Sequence, residues 1–430
     1  MRNLVTHPHN RLLTAALTGA AACLVLVPAS APMAADAASG AAPRPADALR
    51  PAGSGECTYP AKDIKGTPWA LQRVLLNQLW QDTKGRKVRV AVIDSGVDVR
   101  NPQLKEAVSV SSGVTVIKGD KGHGTTDTMG HGTRVAGIIA ARPSGGTGFV
   151  GLAPQATIVP IKQYAEEDSS VDQRPTLVAA VNAAVHAHVQ IINISEDTKS
   201  DYGPLRAAIA GAVSHGILVV ASAGNDGAGG RLGTTYPAAY PGVLAVGASD
   251  RNNERADFSQ AGTFVDIAAP GVDMVSTVPG GGQCVDQGTS FSAPYVAGVA
   301  ALIKAKHPRW TPAQITARIE QTAQRTALGR NDFVGWGVID PVRAVNDDSP
   351  PESSPTPDKG LARSSSHVIP AAVSFGESRR AHDRRVATYV LGAALLTIVV
   401  VSGGSVALRD LRRRPGREAA PGRHRPAARR

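Results

Sequence analysis

The sequence predicts an α/β domain built on a largely parallel β-sheet, followed by one transmembrane helix near the C-terminus. Two continuous apolar runs rich in β-branched residues, VRVAVID at 88–94 and ILVVASAG at 217–224, are typical of strands buried on both faces. The segment FSAPYVAGVAALI at 291–303 is apolar nearly all round, which predicts a buried helix. A second apolar stretch, 386–408, has 23 residues without a charge. As a helix it is long enough to cross the hydrocarbon core of a bilayer.

Both ends of the chain carry the features of an exported membrane protein. Arg2 and Arg11 accompany an apolar stretch that ends in small residues near Ala35 and Ala37, which predicts a secretory signal peptide. A lipoprotein signal at Cys23 is a less favoured alternative, because the three alanines before it lack the expected leucine. After the second apolar stretch there are nine arginines in 22 residues, against four in the 15 residues before it. This asymmetry predicts a cytoplasmic C-terminus.

The net charge of +11 is not spread over the predicted globular domain. Between Glu56 and Arg343 there are 27 Lys and Arg residues against 25 Asp and Glu residues, so the excess lies towards the two ends of the chain. The basic C-terminal tail is therefore interpreted as a topology signal that rests on anionic lipid. No nucleic-acid partner is predicted.

Three stretches together supply the groups needed for acyl transfer by an activated serine. They give a carboxylate at Asp94 (VAVIDSG), an imidazole at His131 (GHGTRVAG) and a hydroxyl at Ser290 (GTSFSAP). A serine hydroxyl needs an adjacent base, and histidine serves because its ordinary pKa lies near neutrality. A carboxylate then fixes the imidazole tautomer and stabilises the imidazolium. Asn225 in ASAGNDG supplies an amide that donates to the oxyanion, together with the Ser290 N–H.

The local context favours these residues over structural alternatives. Asp94 ends a predicted strand, and sites of open α/β sheets form at the carboxyl ends of the strands. His131 opens a predicted helix, whereas His123, in a second GHGT, is followed by the polar TTDTMG and is interpreted as a solvated loop histidine. Ser290 begins the buried helix, where the dipole favours negative charge. Taken singly, Asp94 fits a strand-end cap, Ser290 a helix N-cap and Asn225 a turn residue, but the combination favours catalysis.

These motifs resemble those of the subtilisin-like serine peptidases over roughly two-thirds of the chain, from about 68 to 346. The resemblance implies a doubly wound, mostly parallel sheet with helices on both faces and a protein or peptide substrate. It implies the triad Asp94, His131 and Ser290, with Asn225 in the oxyanion hole. The substrate-binding residues that it implies are Ser195, Glu196 and Gly224. No metal ion and no cofactor are predicted.

A narrower resemblance is to the mycosins, membrane-anchored peptidases associated with the type VII secretion systems of actinobacteria. It rests on PWALQRVLLNQLW, IDSGVD, INISE, the Pro-rich linker, the single membrane helix and the Arg-rich tail. It implies an extracytoplasmic endopeptidase that processes exported proteins and has type VII secretion components as partners. A mainly structural subunit of the secretion complex and a free-standing anchored subtilase are the alternatives.

The resulting domain organisation has six parts. They are a signal peptide (1–37), a flexible N-terminal extension (38–67), a subtilisin-like peptidase domain (68–346), a Pro/Ser-rich linker (347–385), a transmembrane helix (386–408) and a basic cytoplasmic tail (409–430).

The two cysteines that remain after removal of the signal, Cys57 and Cys284, are an even pair in an exported protein. Such a pair predicts a disulfide, which would tie the extension to the loop before Ser290. Two free thiols are the alternative.

In the family fold, substrate lies as an extended strand between two segments, which here follow IVPIKQY and INIS. Acidic residues come after both of these stretches. We hypothesise a preference for a basic residue on the non-prime side of the scissile bond, with a solvated acidic loop as the alternative. The residues concerned are Glu166, Glu167, Asp168, Asp172, Glu196 and Asp197.

Overall fold

The computed structural model describes residues 57–165, 172–325, 327–351, 354–358 and 377–413. The predicted signal peptide and most of the predicted cytoplasmic tail lie outside the described residues. The chain divides into two compact units, Met1–Lys359 and Gly360–Arg430.

The first unit is built around a seven-stranded sheet whose neighbouring strands are all parallel. Its strands are β1 (Arg89–Asp94), β2 (Val114–Thr115), β3 (Thr157–Lys162), β4 (Ile191–Ile194), β5 (Leu218–Ser222), β6 (Val243–Ser249) and β7 (Ile267–Pro270). Their order across the sheet is β2-β3-β1-β4-β5-β6-β7, so it reverses at β1. A separate antiparallel hairpin consists of β8 (Met274–Thr277) and β9 (Gln283–Asp286).

Eight α-helices of the described residues belong to the first unit and one belongs to the second. They are α1 (Trp69–Gln72), α2 (Leu76–Leu79), α3 (His131–Ala140), α4 (Arg174–His186), α5 (Gly203–Ser214), α6 (Thr289–Lys306), α7 (Pro312–Gln321), α8 (Pro341–Asn346) and α9 (Arg379–Arg412).

Side chains that alternate along β1 enter two different apolar cores. Val90 and Val92 belong to a core that includes residues of α3 and α6. Ala91 and Ile93 belong to a second core, which includes residues of α4 and α5. Because successive side chains of a strand point to opposite faces, helices cover both faces of the sheet. The predicted doubly wound, mostly parallel α/β fold is confirmed.

Helix α6 is enclosed by the rest of the first unit. All fifteen residues from Thr289 to Ile303 are buried, as the apolar sequence predicts. The helix packs against α3 and against strands β4, β5, β6 and β7. The start of α6 is therefore held against the carboxyl ends of the central strands.

The beginning of the predicted linker differs from the expected flexible coil. Arg318 in α7 donates hydrogen bonds to the carbonyl oxygens of Asp347 and Ser349. Arg325 donates to the Thr356 carbonyl at 2.7 Å. The start of the predicted linker is therefore part of the first unit, because arginines far away in the sequence donate to its backbone.

The second unit contains α9, which is long and apolar enough to cross a membrane. The helix extends beyond the predicted span 386–408 at both ends, from Arg379 to Arg412. Arginine is a good helix former, so the basic residues that flank the apolar stretch continue the helix.

Candidate active site

The end of β1 and the start of α3 bring Asp94 and His131 into contact. His131 Nδ1 lies 2.8 Å from Oδ1 and 3.0 Å from Oδ2 of Asp94, whose side chain is fully buried. The Tyr164 hydroxyl donates a further hydrogen bond to Asp94, at 3.2 Å. Close approach of the two elements depends on Gly132, since a Cβ there would lie 2.1 Å from the Gly96 carbonyl oxygen. The carboxylate therefore fixes both the orientation and the tautomer of the imidazole.

The second histidine candidate lies elsewhere. His123 is exposed, and its Nδ1 lies 3.3 Å from the Gly113 carbonyl oxygen. The structure therefore brings His131 and not His123 to the Asp94 carboxylate.

A buried carboxylate that the sequence motifs do not reveal holds the start of α3. Asp127 accepts five hydrogen bonds from side-chain hydroxyls and backbone N–H groups. Its Oδ1 accepts from the Ser95 hydroxyl and from the backbone N–H groups of Met129 and Gly130, at 2.7 to 3.1 Å. Its Oδ2 accepts from the Thr133 N–H and hydroxyl, at 2.9 and 2.6 Å.

Ser95 joins this carboxylate to the first one. Its N–H donates to Asp94 Oδ1 at 2.8 Å, and its hydroxyl donates to Asp127 at 2.9 Å and accepts from the Gly132 N–H at 3.0 Å. Asp127 and Ser95 therefore fix the distance between the end of β1 and the first turn of α3.

Ser290 and Asn225 meet at the start of α6. Ser290 is the second residue of the helix and is 8% exposed. Asn225 follows β5, and its Oδ1 accepts from the Thr289 N–H at 2.9 Å and the Thr289 hydroxyl at 3.0 Å. Because Oδ1 accepts both of these bonds, the Asn225 NH₂ group is left to donate. A Cβ at Gly288 would lie 2.9 Å from Ser290 Oγ and 3.7 Å from Asn225 Nδ2, so only glycine keeps that space open.

His131 and Ser290 begin two helices that pack against each other, α3 and α6. The hydrogen bonds among the described residues include none between His131 and Ser290 Oγ. Phe291, the residue after the serine, packs on the imidazole with ring centroids 5.4 Å apart. The two groups are thus on facing elements, and hydrogen bonds of this kind often tighten only when a substrate is bound.

Burial and charge shift the titration of the groups around Asp94. Burial lowers the pKa of His131, but the charge of Asp94 and its hydrogen bond outweigh this, so the pKa lies above its ordinary value. Burial and then the charge of Asp94 raise the pKa of Glu196 to about 8. Burial also raises the pKa of Tyr164 well above its ordinary value. Among the described residues, no group of three or more His, Cys, Asp or Glu side chains is placed to hold a metal ion.

The residues expected to bind substrate have different surroundings. The Ser195 hydroxyl is buried and donates to the Ser290 carbonyl oxygen at 2.9 Å, so it supports the first turn of α6. Gly224 is buried next to Asn225, and its N–H donates to the Thr289 hydroxyl at 3.2 Å. Glu196 is half-buried, and its Oε1 is fully buried without a hydrogen-bond partner in the described part of the chain. Residues 166–168 lie outside the described residues.

Comparison with known proteins decides the family. The family model described as the Subtilase family, peptidase S8, matches residues 85–337, which is more than half of the chain. The chain belongs to the subtilase family. The members of this family are serine endopeptidases. Subtilisin E from Bacillus subtilis (strain 168) is 40% identical over 260 residues, which cover 60% of this chain. The same alignment covers 66% of Subtilisin E, so this subtilase spans about two thirds of that relative's length.

Solved structures narrow the similarity to the mycosins. MycP1 from Mycobacterium smegmatis is 33% identical with a TM-score of 0.59, covering 70% of this subtilase and 91% of that chain. MycP3 protease from the type VII (ESX-3) secretion system is 33% identical with a TM-score of 0.60, covering 67% of this subtilase and 90% of that chain. This subtilase therefore belongs with the mycosin branch.

A disulfide joins the N-terminal segment of this subtilase to the hairpin before α6. Cys57 and Cys284 are bonded, with Cα atoms 6.1 Å apart. Tyr59 follows Cys57 by two residues, and its hydroxyl donates to the Met129 carbonyl oxygen at 2.9 Å. A Cβ at Gly130 would lie 2.5 Å from the Tyr59 ring. The described part of the extension thus lies against the residues that precede His131.

Proposed function

We propose that this subtilase is a membrane-anchored, extracytoplasmic endopeptidase that processes proteins exported by a type VII secretion system. The observation that carries the catalytic part is the contact of His131 with a fully buried Asp94, on the element that faces Ser290. The anchoring rests on α9 and on the arginines that follow the apolar stretch. The secretion context rests on the similarity to MycP1 and MycP3.

In the proposed reaction, Ser290 Oγ attacks the carbonyl carbon of the scissile peptide bond. His131 Nε2 takes the hydroxyl proton as Oγ bonds to carbon, and the imidazolium that forms is stabilised by Asp94. The carbonyl oxygen becomes an oxyanion, to which Asn225 Nδ2 and the Ser290 N–H donate. His131 then protonates the leaving amine as the C–N bond breaks, leaving an acyl-enzyme that water hydrolyses by the same steps.

A fluorophosphonate probe tests the catalytic proposal on the full-length protein in detergent. We expect the probe to label the wild type, and we expect labelling to be lost in Ser290→Ala. The matched control is Ser292→Ala, which changes a buried hydroxyl two residues further along the same helix. Labelling that persists in Ser290→Ala, or its absence from a folded wild type, would contradict the proposal.

A mainly structural role in the secretion complex is the second candidate. It is supported by the similarity to MycP3 protease from the type VII (ESX-3) secretion system. Complementation of a deletion strain separates the two roles. Secretion restored by Ser290→Ala would assign a structural role, and secretion restored only by the wild type would assign a proteolytic one. The topology is tested by protease accessibility in intact cells, which should reach 57–351 but not a tag after Arg430.

A further inference from the structure

The side chains of Thr235 and Asp197 approach Gly224 closely, next to the proposed oxyanion site. Gly224 directly precedes Asn225, and a Cβ at Gly224 would lie 3.1 Å from Thr235 Cγ2 and 3.2 Å from Asp197 Oδ2. Thr235 and Asp197 thus close in on Gly224 almost to van der Waals contact, and a substrate side chain enters between them as the exposed Asp197 side chain turns aside; we call this place the Asp197 recess. A peptide whose carbonyl group is held by Asn225 has the side chain of that same residue within reach of this recess.

Backbone pairing fixes the walls of the Asp197 recess. Thr198 and Tyr236 exchange two backbone hydrogen bonds, both at 2.8 Å, which hold the segment after β4 against the segment that carries Thr235. The Thr235 hydroxyl donates to the Ala223 carbonyl at 2.7 Å. Asp197 therefore sits on a braced segment and not on a free loop.

Asp197 has no direct charged partner among the described residues, although Lys199 lies close enough to attract its charge. Among the described residues, its carboxylate has no hydrogen bond and no ion pair, whereas the nearby Asp226 pairs with Lys199 at 2.9 Å. Asp197 is exposed, and loss of water and then the charge of Asp226 raise its pKa to about 6, while the charge of Lys199 acts in the opposite direction. The carboxyl is still mostly ionised at neutral pH. Glu196, with its pKa raised to about 8, is mostly neutral there.

The recess also disfavours large apolar side chains. The Asp197 carboxylate lies across from Gly224, so an aromatic side chain placed there would cover an ionised group without supplying a donor. A lysine or arginine side chain supplies both the donor and the opposite charge. Next to Thr235 lies a separate cavity of about 220 Å³, whose lining includes Asp226 and the two basic residues Lys199 and Arg231.

We propose that Asp197 is a specificity-determining residue that selects a lysine or arginine side chain on the residue whose carbonyl group Ser290 attacks. This inference rests on the proposed peptidase function. Of the two acidic residues that follow β4 it selects Asp197, since burial and the charge of Asp94 raise the pKa of Glu196 to about 8 and leave it mostly neutral.

The test compares fluorogenic peptides that differ only at the residue before the scissile bond, which is Arg, Lys, Ala or Phe. Full-length wild type, Asp197→Asn and Asp197→Gly are measured in detergent, with Asp257→Asn as a control that changes an exposed acidic residue. We expect the wild type to cleave the Arg and Lys peptides best. In Asp197→Asn, kcat/KM for these peptides should fall about 10- to 100-fold, while the Ala peptide changes less than about threefold. Asp197→Gly should gain activity on the Phe peptide.

Two further measurements separate this inference from the function on which it rests. The wild-type preference for Arg over Ala should weaken as the pH falls below about 6, because Asp197 then becomes protonated. Fluorophosphonate labelling of each variant reports on the serine independently of the recess. A wild type that is labelled but cleaves Ala or Phe peptides as well as Arg peptides overturns the inference and leaves the peptidase function standing. A folded wild type that is not labelled overturns both.

Discussion

Replacing Asp127 with asparagine would remove the charge from a buried carboxylate that accepts five hydrogen bonds. The side chain is 2% exposed, so solvent does little to compensate. In the best orientation, the asparagine oxygen accepts the three hydrogen bonds that Oδ1 accepts in the wild type. The NH₂ group then takes the place of Oδ2 and cannot accept from the Thr133 N–H and hydroxyl, because it is itself a donor. Two charge-assisted hydrogen bonds are lost, at roughly 1.5 to 3 kcal/mol each. We expect the free energy of unfolding to fall by about 3 to 6 kcal/mol.

The same change should affect catalysis, because Asp127 and Ser95 set the position of the first turn of α3. A shift of the imidazole by a fraction of an ångström away from Ser290 is expected to slow fluorophosphonate labelling by roughly 10- to 100-fold.

Guanidinium unfolding of the full-length protein in detergent, followed by tryptophan fluorescence, measures the stability change. The labelling rate is measured under conditions in which both variants are folded. Asp120→Asn is the matched control, since Asp120 is exposed in the same loop and accepts one backbone hydrogen bond from Gly122. An unfolding free energy of Asp127→Asn within about 1 kcal/mol of the wild type, with an unchanged labelling rate, would refute the reasoning.

Three further predictions concern pH, the disulfide and a glycine. His131 acts as a base only in its neutral form, and its pKa is raised above the ordinary value. The labelling rate should therefore increase with pH, with a midpoint above about 6.5. A midpoint below about 6 would contradict this. Cys57→Ser removes the crosslink and should cost roughly 2 to 5 kcal/mol of stability in denaturant unfolding, whereas an unchanged midpoint would show that the bond does not constrain the unfolded chain. Gly132→Ala would place a Cβ 2.1 Å from the Gly96 carbonyl oxygen and should abolish labelling. Gly211→Ala, which meets open space inside a helix, should leave labelling intact.

The sequence predicts the elements that carry the proposed triad because each has a strong local pattern. The apolar run before Asp94 is a strand, and the apolar stretch after Ser290 is a helix, so the ends of both elements are visible in the sequence. Asp127 is different. It lies in the polar, non-periodic TTDTMG, and one of its donors is Ser95, 32 residues away along the chain. Only the folded chain brings these donors together.

The surroundings of charged side chains are the other feature that the sequence pattern does not predict. Glu196 follows a strand next to Asp197, and the two look alike in the sequence, yet one faces Asp94 and the other faces Gly224. The start of the predicted linker is held by Arg318 and Arg325, which are distant from it in the sequence. Local composition, which favours a coil there, carries no information about those partners.

The burial of α6 on all sides has a consequence for how such an enzyme can be controlled. A nucleophile mounted on a freely sliding segment can be switched off by moving it, but here any displacement of Ser290 would have to carry fifteen enclosed residues along with it. Close-packed interiors resist that kind of motion. Displacement of Ser290 is therefore a costly way to switch this peptidase off, and the nucleophile keeps its place in the fold whether or not a polypeptide reaches it.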